Sequence, residues 1–520
     1  MRKFGIILNE DCSNFFCAYS DEEMTLKTCQ SHIDMFAGTN VSHLFLNCVE
    51  QKATFPSKIY ESALDVDENS LTGFALADVG KKWFRHIRLL MEKGLDIYQV
   101  WIDRCRQHGI SPWLSMRMND LHTVHEPANG MNNSFWRNNP RFWRVPDSLD
   151  DKGWEPVRCF ERAFDYGHKE VREHHITALR EMMERYDADG LELDWMRFPS
   201  HFQTGHEKEG SRILTAFMRE VRQLTNEWSA KRGHPMGLAA RVPSHPVNAR
   251  ELGMDGLTWV REGLVDILVP TPFWFSADFD IPVELWREML GSDIGKAKIA
   301  GGVEATLRVR RVLGDNAYDN IAAARGQMVS LADRGADMAY LFNYMYNAPG
   351  GQFRGPSPGW TREAYMELIN TGKDVFNDLK LPRRHIVTFD DSVPEGVAVN
   401  NLLPKELNGT TPAAFRIYTG PAPESGNVSI RAGLADKPGF EKVKLKARLN
   451  SRYCEAIEDL PLCDACDPKP VGVSFPRAAR AIQFAVPLGM MDHGYNVVEL
   501  IQPYGVNGQE LVWVEIRIDP

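Results

Sequence analysis

Residues 189–199 read DGLELDWMRFP. Leu191, Leu193 and Trp195 alternate with Glu192 and Asp194, the period-two pattern of a strand, and the run ends in charge. Seven more runs of the same make surround it: FGIILNED (4–11), VSHLFLNC (41–48), SPWLSMRMND (111–120), MGLAARVPS (236–244), VDILVPTPFW (265–274), KAKIAGGVEA (296–305) and MAYLFNYMYN (338–347). Between them lie helical stretches such as HKEVREHHITALREMMERY (168–186), with Val171, Ile176, Leu179 and Met183 at helical spacing. Gly38, Gly109, Asp189-Gly190 and Gly335 read as helix ends just ahead of strands. Strand and helix alternating eight times predict an α/β chain whose residues 1–382 form a (β/α)8 TIM barrel.

Stretches 51–76 and 121–167 exceed an ordinary connection and read as long loops after strands two and three, on the catalytic face. Beyond Pro382 the pattern changes to short alternating strands with Gly, Pro and Asn turns: HIVTFDD, AAFRIYTG, NVSIRAG, KVKLKARL, AIQFAVP, NVVELIQPY and LVWVEIRI. Residues 383–520 are therefore expected to form an antiparallel β-sandwich accessory domain.

The 520 residues are 43% hydrophobic and 25% charged, an ordinary globular composition. With 60 basic against 70 acidic residues and no long basic run, no nucleic-acid partner is expected, and an acidic ligand would need locally placed arginines. No 18-residue apolar stretch occurs, so no membrane span is expected. The start, MRKFGIILNED, is too short in its apolar part for a signal peptide, which implies a cytoplasmic chain or an exported one whose leader lies outside the sequence. Nine cysteines are spread thinly and read as mostly buried free thiols. Cys463 and Cys466 with Cys454 lack a fourth ligand for zinc, so neither a metal nor a cofactor is expected. A homodimer is left open.

In such barrels the chemistry sits at the C-terminal strand ends. Polar groups crowd there: Asn9, Glu10 and Asp11 on strand one, Asn47 on strand two, and Arg117, Asn119 and Asp120 on strand three, with His122 and His125 beyond. Strand four adds Glu192, Asp194 and Arg197, strand five Arg241, strand seven Glu304 and strand eight Asn343. Alternation turns Asn9 and Asp11 toward the mouth, and Glu192 and Asp194 inward. Arg117, inside a strand between two methionines, needs a buried partner or an anionic ligand, because an unpaired buried charge is too costly. Trp136, Trp143, Phe273, Trp274 and Tyr344 could stack on sugar faces or simply fill the core.

DGLELDWMRFP, the opening ILNED followed by Asn14-Phe15-Phe16, and MRMNDLH followed by SFWRNNPRFW together resemble the glycoside-hydrolase-10-like barrels. Within that group the chain is most similar to the inverting exo-sialidases of glycoside hydrolase family 156. The resemblance implies hydrolysis of terminal α-linked sialic acid from a sialylated glycan, with Asp11 as general base and His122 as general acid. It further implies that Arg117 and Asn343 hold the substrate carboxylate and nearby groups. Arg197 is a weaker match, Asp194 joins the substrate-binding set, and His125 rivals His122. The insertions around strands two and three differ in length from the family pattern.

The chemistry suits the residues. Sialic acid carries a carboxylate on its anomeric carbon, which disfavours an anionic catalyst beside it, whereas a histidine can serve as a cationic acid. Inversion needs roughly 6.5 to 9.5 Å between the catalytic groups. Strands one and three, two steps of about 4.8 Å apart, allow that. Three other readings stay open. One is a glycosidase for another sugar using the carboxylates of Asp194 and Glu304. Another is a metal-dependent deacetylase with Asp120, His122 and His125. The third is a non-catalytic carbohydrate-binding barrel.

Overall fold

The computed structural model describes residues 4–71, 76–146, 148, 159–273, 276–309, 317–318, 321–345, 361–390, 392–397, 402–409, 411–460, 478–503 and 508–520. Eight parallel strands close into a barrel: β1 (Gly5–Glu10), β2 (Val41–Val49), β3 (Ser111–Arg117), β4 (Gly190–Asp194), β5 (Gly237–Pro243), β6 (Ile267–Thr271), β7 (Lys298–Glu304) and β8 (Met338–Phe342). β8 pairs back onto β1, so the ring has no edge. The strands are buried on both faces, which is why β1 and β8 read as apolar runs, while β4 keeps a period of two through buried Glu192 and Asp194.

The lower interior is filled by Ile7, Phe45, Trp113, Ile267, Ala300 and Met338. Trp113 of β3 lies level with Gly190 of β4, which is level with Gly237 of β5. A Cβ on Gly190 or Gly237 would stand 2.5 or 2.4 Å from the indole, so the two glycines make room for it. This corrects the reading of Asp189-Gly190 as a helix end: the helix Lys169–Arg185 stops at Tyr186, and Gly190 is a packing residue of β4. Gly38, Gly109 and Gly335 do take left-handed φ of 71°, 70° and 96° ahead of β2, β3 and β8.

The upper interior is polar. Arg117, Asp194 and Arg241 are level across β3, β4 and β5, with Ser115 and Glu192 one layer below. The long connections after β2 and β3 rise from this end. They carry short 3₁₀ turns at Ala63–Asp65 and Glu68–Ser70 and a one-turn helix at Ser134–Arg137.

The C-terminal unit has nine antiparallel strands among the described residues, two more than the sequence suggested. Ile430, Phe484 and Trp513 from one layer share a core with Phe415, Leu449 and Val498 from the other, which makes it a sandwich. The layers are joined through the hairpin Lys446–Leu449 to Arg452–Leu460. Arg452–Leu460 was illegible because almost all of it is exposed, so it carries no apolar period.

The barrel and sandwich are packed together. Their shared core takes in Phe279, Leu307 and Ala323 from the barrel side. The helix Ile321–Asp333 lies against the strand Arg383–Ile386, and a Cβ on Gly326 would fall 1.9 Å from the Arg384 carbonyl oxygen. Arg384 in turn pairs with fully buried Glu515 at 2.6 Å. Gly326→Ala is expected to cost about 1–3 kcal/mol or more, because backbone rather than a flexible side chain must yield. A thermal unfolding scan checks it, and an unchanged midpoint would show that the seam relaxes freely.

Cys12, Cys17, Cys29, Cys48 and Cys105 are buried free thiols. Cys463 and Cys466 lie outside the described residues. Among the described residues no helix is long and apolar enough to cross a membrane.

Candidate active site

β1 ends in Asn9 and Glu10, and the chain then turns sharply at Cys12, whose φ is 70°. Buried Glu10 is used inside the fold: it meets His32 at 3.1 Å and accepts the Cys12 amide at 3.1 Å. Asp11 points the other way, into the mouth. Its Oδ1 accepts the Ser13 amide at 3.0 Å and the Ser13 hydroxyl at 2.5 Å, while Oδ2 faces Arg117 Nη2 at 3.6 Å.

Arg117, at the end of β3, has buried carboxylate partners. Nη1 donates to Glu50 and, at 2.9 Å, to Asp120 Oδ2. Burial would lower Arg117, but Glu50, Asp120 and Asp11 outweigh it and push the guanidinium above its ordinary value. Burial, opposed by Arg117 and reinforced by Asp120 and Asp11, raises Glu50 to about 7. Glu50 was not found from the sequence. A register shift between Asn47 and Val49 breaks the strand period just before it, so counting alternate residues could not aim it.

Asp120 is the second residue whose role the sequence did not isolate. Its Oδ1 receives the His122 amide at 3.1 Å and lies 2.7 Å from His122 Nδ1. The other ring nitrogen, Nε2, lies 2.8 Å from Arg197 Nη2. A guanidinium can only donate, so Nε2 accepts; His122 is therefore neutral, with its proton on Nδ1 directed at Asp120. Burial lowers His122 below the ordinary imidazole value, Asp120 opposes this, and Arg197 and Arg117 add to it. Burial would raise Asp120, but His122, Arg117 and Arg197 hold it well below the usual carboxylate range. Arg197 itself is brought down to about 10 by burial and by neighbouring Arg117. The ring of Phe198 packs edge-on to His122 with centroids 5.4 Å apart.

His125 lies apart from this array, 3.7 Å from Glu126. With His125 turned to Glu126 and His122 held between Asp120 and Arg197, the three residues of the metal reading do not converge. Among the described residues no group of three or more His, Cys, Asp or Glu is arranged to hold a metal ion.

The carboxylates of β4 and β7 sit deeper. Asp194 Oδ2 accepts from Arg241 Nη1 at 2.7 Å and Oδ1 from the Met196 amide at 3.0 Å, so both oxygens are engaged. Arg241 also lies over the Phe342 ring at 3.9 Å. Glu304 accepts from Asn343 Nδ2 at 3.0 and 3.2 Å and from the Thr306 amide at 3.1 Å, and burial raises it to about 7. Asn343 takes a left-handed φ of 62°, which an asparagine tolerates better than most residues. Burial and Asp194 raise Glu192 to about 7.

Solvent access separates these groups. Asp11 and His122 keep 17% and 15% of their side-chain surface, against 2% for Asp194. Among the described residues, the aromatics considered as sugar platforms are core residues. Trp136 and Trp143 stack on each other at 4.8 Å, and Phe273 and Tyr344 are buried; Trp274 lies outside the described residues.

No protein-family model matches the chain. No curated protein matches it either. Among solved structures it is similar to the alpha-L-fucosidase isoenzyme 2 from Paenibacillus thiaminolyticus, at TM-score 0.41 and 15% identity over 72% of this chain and 49% of that one. It is also similar to a GH29 alpha-L-fucosidase from Bacteroides thetaiotaomicron, at TM-score 0.35 and 11% identity over 97% and 94%. A third is the PgaB (BpsB) glycoside hydrolase domain from Bordetella bronchiseptica, at TM-score 0.38 and 11% identity over 66% and 94%. The chain spans about half the length of the first of these. Such distant likeness transfers no residue assignment.

Proposed function

We propose that this chain is an exo-acting glycoside hydrolase that releases terminal α-linked sialic acid with inversion. One observation carries the reading: Asp11 and His122 are mouth groups that reach solvent, and His122 is backed by Asp120 and flanked by an arginine. Asp11 takes a proton from water as the water oxygen bonds to the anomeric carbon. The bond from that carbon to the glycosidic oxygen breaks, and His122 Nε2 gives its proton to the leaving oxygen. Asp120 orients the imidazole and stabilises its charged form. Arg197 is the guanidinium we set against the sugar carboxylate. Arg117, enclosed by Glu50, Asp120 and Asp11, acts by holding those carboxylates in place. Asn343 and Asp194 act from behind, through Glu304 and Arg241.

A second reading is a glycosidase for another sugar using Asp194 and Glu304. It is favoured by their unlike surroundings, with Asp194 ion-paired to Arg241 and Glu304 raised to about 7, the pairing expected of a nucleophile and an acid. Stereochemistry separates the two. With Asp11 and His122 on opposite faces, the first product from an α-sialoside is the β-anomer. A retaining pair about 5 to 5.5 Å apart gives the α-anomer through a covalent intermediate. Proton NMR in the first minutes, before mutarotation, reads which forms, and initial α-product sinks the Asp11 and His122 mechanism.

A further inference from the structure

The hydrogen bond between Arg197 and His122 raises a question that the proposed mechanism has to answer. The atom that must hand a proton to the leaving group is Nε2, yet Nε2 is the acceptor of an Arg197 N–H at 2.8 Å. An imidazole nitrogen that accepts a hydrogen bond carries no proton, and Nδ1 spends its proton on Asp120 at 2.7 Å. The resting site therefore holds its acid in the form that cannot act as one.

The surroundings oppose a simple protonation in place. His122 faces Asp120 from its own loop, Arg197 from the loop after β4 and Arg117 from the end of β3, with Phe198 against its ring. A second proton would set an imidazolium directly against a guanidinium, with another guanidinium close by. Asp120 already serves Arg117 through Oδ2, so it cannot turn wholly to His122.

We propose that Arg197 is a gate on the acid, so that only a substrate carrying an anionic group beside the scissile bond, by drawing the guanidinium off Nε2, lets that nitrogen carry the proton the leaving group needs. The inference rests on the reading of His122 as the acid and deepens it. The site then discriminates against neutral sugars in the chemical step as well as in binding, because a neutral ligand leaves the guanidinium on Nε2. The proton balance closes through solvent. Nε2 gains a proton as the carboxylate takes the arginine, passes it to the glycosidic oxygen on cleavage, and accepts the Arg197 N–H again when the acid product leaves. Arg197 in this role is a positioning and specificity residue that works through His122.

The test is a titration of His122 by NMR on the full chain with labelled histidine, its signals assigned by their loss in His122→Asn. Arg197→Gln is expected to raise the His122 midpoint by about one pH unit or more. In the unaltered protein, saturating free sialic acid should raise it in the same direction, while glucose should not. A rise with 3-deoxy-octulosonic acid, whose carboxylate also sits on the anomeric carbon, but none with sialic acid keeps the gate and removes the sialoside reading. No rise with either acid, or an unchanged midpoint in a folded Arg197→Gln protein, overturns the gate. Should Arg197→Gln fail to fold, the ligand titrations decide alone.

Discussion

Asp11→Asn is expected to lower turnover of a natural sialoside by about a hundredfold or more, and His122→Asn by a similar factor, the usual reach of general acid and base catalysis. A hundredfold corresponds to about 2.7 kcal/mol of lost transition-state stabilisation. Both changes should leave the fold intact. An asparagine at position 11 still accepts the Ser13 amide and hydroxyl, and His122 is partly exposed in a loop rather than built into a strand. The leaving group then separates the roles. An activated aryl sialoside hardly needs protonation, so His122→Asn should damage its hydrolysis far less than that of a natural linkage, whereas Asp11→Asn should damage both. Steady-state rates on the two substrates, with circular dichroism to confirm folding, supply the comparison. Equal loss on both substrates in His122→Asn would remove it as the acid, and full activity there with a large loss in Glu304→Gln would move the chemistry to β4 and β7.

The barrel was legible because its strands are buried on both faces and must be written in Ile, Leu, Val and Ala, whatever the rest of the chain does. The inward aim of Glu192 and Asp194 was legible for a related reason, since β4 pairs without interruption and the period of two holds along it. The same rule failed two strands away. β2 slips its register at Asn47 to Val49, and Glu50, the carboxylate against Arg117, follows the slip. Position within a loop is equally opaque to spacing: His122 and His125 are three residues apart in one polar segment, yet one meets Arg197 and the other Glu126. What sorts them is the loop after β4, far along the chain, which supplies the guanidinium. The exposed strand Arg452–Leu460 shows the opposite limit, a regular element with no burial to write a period into its sequence.

The remaining large effect falls on Arg117, and it follows from what the guanidinium touches. Glu50, Asp120 and Asp11 all lie against it, and Glu50 and Asp120 are almost closed off from solvent. Removing one partner from a buried ionic cluster leaves the others uncompensated, at a cost of about 3–5 kcal/mol, so Arg117→Ala should be strongly destabilised rather than merely weak in binding. The loss should depend on pH in a stated direction. Glu50 is already raised from 4.5 to about 7 in the folded chain, so the folded state holds its proton more tightly than the unfolded state, and this contribution fades as pH rises from 4.5 through 7. Without Arg117 the folded Glu50 holds its proton more tightly still, so the stability gap between the variant and the unaltered protein should widen from pH 5 to pH 8. Urea denaturation at the two pH values measures the gap. Arg117→Lys keeps the charge but cannot reach three carboxylates with one ammonium, and should fall between the two proteins. Adding Glu50→Gln to Arg117→Ala removes one of the stranded carboxylates and should recover part of the lost stability, a non-additive result that only a shared cluster produces. An Arg117→Ala protein as stable as its parent at both pH values, and deficient solely in binding an acidic sugar, would instead make Arg117 the carboxylate anchor and relieve Arg197 of that role.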